Sequence, residues 1–250
     1  MKRNLIIGNW KMYATSIADA HVLATAVRNG VATIPGIEVV LCPPAIWLPE
    51  VANIVGKSTK VALGAQNMHF EVEGAFTGEI SPGMVREMAK YCIIGHSERR
   101  QYFGETDIEV NEKVLAALKH KITPIICVGE QKKKANPDQP VRELKEALQH
   151  VPKKYCKEII VAYEPVWAIG TGENAEPEYV ARVVTKLREL VHTYTPILYG
   201  GSVKSANIKG YAARPEIDGV LVGGASVRAS EFMKICEEWS LTKNLRNANK

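Results

Sequence analysis

The sequence has no apolar run approaching the roughly 18 residues that a membrane-crossing helix needs. Its start, MKRNLIIGNWK, places only Leu5, Ile6 and Ile7 together before Gly8, far short of a secretory apolar segment. A cytoplasmic location with no membrane attachment is the expectation. Cysteine is sparse: Cys42, Cys92, Cys127, Cys156 and Cys236 form an odd set of five with no C-x-x-C pair. That argues against a disulfide framework or a zinc site, and small buried thiols are the plain reading. Aromatics make up 7% of the chain and do not interleave with its basic cluster, QKKK at 131–134. The cluster reads as a solvated loop and not as a nucleic-acid surface. No P-loop, dinucleotide fingerprint or serine nucleophile elbow is present. The chemistry should therefore come from acids, bases and electrostatics alone, with no cofactor and no metal.

What the 250 residues do hold is an ordinary globular composition, 46% apolar and 24% charged, which excludes disordered and collagen-like classes. The net charge of +5 suits an anionic small molecule. Eight short apolar runs recur: NLIIG, IEVVLC, VALGAQN, YCIIG, ITPIICV, EIIVAYE, PILYG and IDGVLVGG. They do not alternate with polar residues, which is the pattern of parallel strands covered on both faces. Their starts lie 21 to 38 residues apart, room for a strand, a helix and two loops. Helical periodicity fills the intervals. PEYVARVVTKLRELV sets Val180, Val183, Val184, Leu187, Leu190 and Val191 on one face, with Pro177 near its start. VRELKEALQHV does the same with Val141, Leu144, Leu148 and Val151, and Ser230 reads as the N-cap of EFMKICEEW. No linker interrupts the series. The pattern predicts one domain over residues 1–250, a single eight-fold parallel β/α barrel with a frayed C-terminal tail. The alternative is an open doubly wound sheet, against which the exit GNWKM lacks the glycine fingerprint.

In a barrel the C-terminal strand ends converge on one face, where chemistry sits. The first run delivers Asn9 and Lys11, two apart and so able to point to one side. The fourth delivers His96, Ser97 and Glu98, the fifth Cys127 and Glu130, and the sixth Glu164. The seventh ends in YGGS, reaching Ser202, and the eighth in Gly223 and Gly224. Singly, His96 could be structural, Lys11 a surface lysine and Glu164 a plain strand-end carboxylate. Together they put a base, an acid and a cation beside two glycine-rich turns, whose free N–H groups suit an anion.

The motifs GNWKM, QNMH, GAFTGE, IIGHSERR, CVGE, AYEPVWAIGTG, YGGSV and GVLVGGAS stand in this order from Gly8 to Ser226. In this the chain resembles the triosephosphate isomerase family over nearly its whole length. The resemblance implies the TIM barrel fold and the cofactor-free interconversion of dihydroxyacetone phosphate and D-glyceraldehyde 3-phosphate. By motif, Glu164 is the implied base, His96 the neutral electrophile and Lys11 the electrostatic cation. Asn9 implies a further bond to a substrate oxygen, and Gly170, Ser202, Gly223 and Gly224 imply phosphate contacts. Ser97 matches the residue that holds the glutamate in an open position. Glu98 either orients Lys11 or forms a structural ion pair. Pro165, Val166, Trp167, Ala168, Ile169, Gly170, Thr171 and Gly172 match a lid over the site. Cys127 matches a packing position beside the base. The loop from Gln66 to Glu79 implies a homodimer contact, with Met68, Phe70 and Phe76 as its apolar residues. Two departures stand out. Glu173 and Asn174 replace the family's Lys-Thr at the second lid hinge, and the stretches from Cys127 to Glu164 and from Trp167 to Tyr199 are short. Another sugar-phosphate isomerase, or a barrel that only binds phosphorylated ligands or a protein, are the competing readings.

Overall fold

A computed structural model describes residues 3–56, 58–131, 138–168 and 174–248. Each apolar run forms a strand: β1 (Leu5–Asn9), β2 (Glu38–Cys42), β3 (Val61–Ala65), β4 (Tyr91–Ile94), β5 (Thr123–Val128), β6 (Ile160–Tyr163), β7 (Ile197–Tyr199) and β8 (Gly219–Val222). They pair in parallel and in sequence order, and β8 returns to β1 with Gly219 opposite Leu5, which closes the barrel. Closure removes the doubly wound alternative. The helices lie between strands: α1 (Ile17–Gly30), α2 (Leu48–Val55), α3 (Pro82–Met88), α4 (Ser97–Phe103), α5 (Asp107–Lys119), α6 (Gln139–Ala147), α7 (Pro177–Arg188), α8 (Ile208–Ala212) and α9 (Ala229–Ala248).

The continuous apolar strands serve two cores at once. Leu5, Ile7, Val40, Cys42, Ile93, Ile125, Cys127, Ile160, Ala162, Leu198 and Leu221 fill the barrel interior. Their alternate neighbours, Ile6, Val39, Leu41, Ile94, Ile126, Val161 and Val220, face outward to the helices. Successive strand side chains point to opposite faces, so a strand covered on both sides must be apolar throughout. Each Val, Leu or Ile among them contributes about 1.5–3 kcal/mol on burial. Cys42, Cys92, Cys127 and Cys236 are buried and Cys156 half-buried, and burial pushes all five thiols up.

Helix ends depart from the periodicity in three places. α7 stops at Arg188, so Leu190 and Val191 pack half-buried from the following turn. α6 turns Pro140, Glu143, Leu144 and Ala147 inward, while Val141, Leu148 and Val151 are only half-buried. α9 begins at Ala229, which places Ser230 inside its first turn and not at its cap. Cap and boundary positions are set by the packing that stops the helix, which periodicity does not encode. Lys132 to Lys134 and the last two residues of the expected tail lie outside the described residues. Among the described residues no helix is long and apolar enough to cross a membrane.

Candidate active site

One cavity of about 470 Å³ opens where the strand ends converge, lined by Asn9, Lys11, His96, Glu164, Ser202 and Gly223 among others. Glu164 follows β6 and is 1% exposed. Its N–H donates to Val128 O at 2.8 Å, continuing the strand ladder for one more residue. Pro165 follows it and biases its backbone towards extended geometry. Its Oε2 accepts the backbone N–H of Ser97 at 2.9 Å. The Ser97 contact thus runs through the main chain. Glu164 Oε1 lies 3.1 Å from His96 Nε2. That approach is close, yet Oε1 has no hydrogen-bond partner among the described residues.

His96 is the N-cap of α4, and its Nδ1 accepts the Glu98 N–H at 3.2 Å. With Nδ1 turned to the start of α4, Nε2 is the atom that faces Glu164 and the cavity.

Lys11 lies beyond β1, in the left-handed region at φ 50°. Strand alternation therefore does not place it; a turn does. Asn9 Oδ1 accepts the Lys11 N–H at 3.0 Å, and Gln66 Nε2 donates to the Lys11 carbonyl at 2.9 Å. These two bonds offset a backbone strain of about 1–2 kcal/mol. The Lys11 ammonium pairs with Glu98. Gly223 packs below it, where an added Cβ would meet Lys11 Cε at 3.1 Å. Gly223 also passes its carbonyl to Ser226 N–H at 2.7 Å as the chain turns into the short 3₁₀ segment Gly224–Val227. The cavity thus holds a carboxylate, an imidazole, an ammonium and two glycine turns. Among the described residues no cluster of His, Cys, Asp or Glu is arranged to hold a metal ion.

The sequence profile of triosephosphate isomerase matches residues 4–239. The chain belongs to the triosephosphate isomerase family. It is 45% identical to the triosephosphate isomerase of Caldanaerobacter subterraneus subsp. tengcongensis, an alignment covering 94% of this chain and 99% of that one. It is also 45% identical to that of Chloroflexus aurantiacus, over 94% of this chain and 98% of the relative. The crystal structure of triosephosphate isomerase from Bartonella henselae superposes with a TM-score of 0.84 at 34% identity, covering 95% of this chain and 99% of that one.

Triosephosphate isomerase motifs led to the rim residues, but several supports carry no such signal. Glu130, 1% exposed, gathers three donors on its Oε1: Tyr163 at 2.8 Å, Trp167 Nε1 at 2.8 Å and Tyr179 at 3.0 Å. Val166 N–H donates to the Glu130 carbonyl at 3.0 Å. Val166–Ala168, within the expected lid of Pro165 to Gly172, form a 3₁₀ turn tied by these bonds to the segment that follows β5. Glu105 receives Arg99, Lys113 and the Gly95 N–H, and so fixes the exit of β4 beneath His96. Sequence placed Glu130 at the exit of the fifth run without its partners, and Glu105 carried no signal. Ile169, Gly170, Thr171, Gly172 and Glu173 lie outside the described residues. Asn174 accepts from Asn207 Nδ2 at 3.0 Å. In the loop 66–79, Met68 is fully buried in the core, so it is not an available contact residue, whereas Val72 and Phe76 are exposed.

Proposed function

We infer that the chain interconverts dihydroxyacetone phosphate and D-glyceraldehyde 3-phosphate by proton transfer, with Glu164 as the base. The Glu164 carboxylate removes the proton from the carbon beside the carbonyl, leaving an enediolate. His96 donates its Nε2 proton to the carbonyl oxygen and takes one from the neighbouring oxygen, and Glu164 returns its proton to the neighbouring carbon. Neutral imidazole suits this exchange because its acidity lies closer to that of the enediol than an imidazolium's would; this tuning is already known for this enzyme. Lys11 supplies fixed positive charge to the oxyanion and phosphate. Asn9 bonds a substrate oxygen, and the N–H groups of Gly170, Ser202, Gly223 and Gly224 hold the phosphate. Ser97 holds Glu164 before substrate arrives, and Glu98 orients Lys11. Residues Pro165 to Gly172 close over the site and exclude water, which strengthens these electrostatics.

The observation that carries the reading is the meeting of Glu164 and His96 at 3.1 Å in a cavity shared with Lys11. Replacing His96 with Gln tests it. The expected result is a fall in kcat of about 100-fold with KM little changed, since only the proton relay is lost. Turnover at the parent rate would remove His96 from the mechanism.

The active form is a homodimer in the cytoplasm. Val72 and Phe76 expose apolar surface on the 66–79 loop, and Met12 and Tyr13 expose more beside it, the two segments being joined by the Gln66–Lys11 bond. Apolar surface clustered in this way marks a contact face. Light scattering should return twice the chain mass; a monomer at micromolar concentration would refute the dimer.

A further inference from the structure

Glu143 takes no part in the chemistry above, yet it is 5% exposed on the inward face of α6. The other inward positions there, Pro140, Leu144 and Ala147, are apolar. Burying a carboxylate costs free energy unless its oxygens find donors, and burial pushes the Glu143 carboxyl up. Its donors are specific. Oε1 accepts Gln139 Nε2 at 2.8 Å, and Oε2 accepts the backbone N–H of Gly129 at 2.8 Å. The ladder between β5 and β6 ends at Val128 and Tyr163. Gly129 N–H lies one residue past that register and takes a side chain as its acceptor.

Gly129 sits against the base itself. A Cβ built on it would fall 1.6 Å from the Glu164 carbonyl oxygen. With Glu164 N–H on Val128 O at 2.8 Å, the Glu164 main chain is seated on residues 128 and 129. Glu143 braces the far side of that seat. Glu143 and Glu164 also line one small cavity of about 10 Å³ with Ser97 and Arg100. Arg100 faces Glu143 from α4 and Asp107 from α5, and Arg100 Nη1 is bonded to Asp107 at 2.6 Å.

We propose that Glu143 is a positioning residue for the isomerisation: by accepting the Gly129 N–H it fixes the backbone beneath Glu164 and so aims the carboxylate at the substrate carbon. The proposal rests on the assignment of Glu164 as the base. It calls for an acceptor oxygen at this point, not for a negative charge.

Full-length Glu143→Gln, Glu143→Asp and Glu143→Met, with Glu164→Gln in parallel, test it through kcat, KM and Tm, with rates measured well below each melting point. Glu143→Gln keeps the acceptor and should hold kcat within about twofold. Glu143→Met leaves the Gly129 N–H unpaired and should lower kcat about tenfold or more, as small misplacements of reacting groups do. Its KM should stay within about twofold, because the phosphate turns follow β7 and β8, not β5. Glu143→Asp keeps the charge but withdraws the oxygen by one methylene, and should fall between the two. A parent kcat in both Glu143→Met and Glu143→Asp, with only Tm lowered, would overturn the proposal. So would a loss in Glu143→Gln equal to that in Glu143→Met, since charge would then be what matters. If Glu143→Met does not fold, a parent kcat in Glu143→Asp alone is the contradicting result. Parent activity in Glu164→Gln would overturn the base assignment and the proposal with it. Collapse there alongside unaffected Glu143 variants overturns the proposal alone.

Discussion

Glu164→Gln is expected to lower kcat about 10⁴-fold while changing KM only a few-fold, the upper end of what one general base contributes. The substitution keeps shape and loses basicity. Its amide oxygen can still accept the Ser97 N–H, which now meets Oε2 at 2.9 Å. The side chain has little freedom to move elsewhere, since a Cβ on Gly200 would stand 3.0 Å from Glu164 Cγ. Folding should therefore survive. A carboxylate that is 1% exposed is costly to bury, and removing its charge should leave Tm equal or higher. A rate loss without a stability loss is the signature of a group retained for chemistry. Steady-state kinetics with a melting curve on the same preparation would check this, and activity near the parent value would sink the assignment.

Lys11→Met is expected to lower kcat/KM about 10³-fold, the scale of losing one fixed donor to a developing oxyanion. Methionine is nearly as long and lacks only the charge. The left-handed backbone at φ 50° costs methionine much what it costs lysine, and Asn9 and Gln66 still hold it. Glu98 is 37% exposed and remains hydrated after losing its partner, so Tm should move little. Lys11→Arg should not restore activity, because a planar guanidinium spreads its charge and cannot present the compact ammonium at the same point. Inhibition by inorganic phosphate should weaken in Lys11→Met, which removes the cation. Full activity in Lys11→Met would remove the lysine from the mechanism.

The barrel was legible because parallel strands covered on both faces must be apolar without alternation, as Leu5, Ile6 and Ile7 are. The rim was legible because strand ends converge, so Lys11, His96 and Glu164 could be grouped before any contact was known. The positions of the supporting groups were not legible. Ser97 holds Glu164 through its backbone N–H, which any residue possesses. Glu105 and Glu143 are buried acids whose partners lie nearby in the chain but follow no recognisable spacing, and Glu130 was placed at a strand exit without its distant partners Tyr163, Trp167 and Tyr179. Lys11 was grouped correctly for an inexact reason, since its direction comes from a turn fixed by Asn9 and Gln66 and not from strand alternation. Met68 shows the opposite error: its loop suggested contact surface, but the side chain fills the core.

The central claim is that Glu164 carries the substrate proton between adjacent carbons. Isomerising dihydroxyacetone phosphate in D₂O and reading deuterium at carbon 2 of the trapped glyceraldehyde 3-phosphate tests it most directly. A carboxyl proton exchanges with solvent while the enediolate persists, so the product should carry deuterium at that carbon. Product formed at the full rate with no deuterium would mean that no carrier open to solvent exchange holds the proton between the two carbons, and would contradict the account.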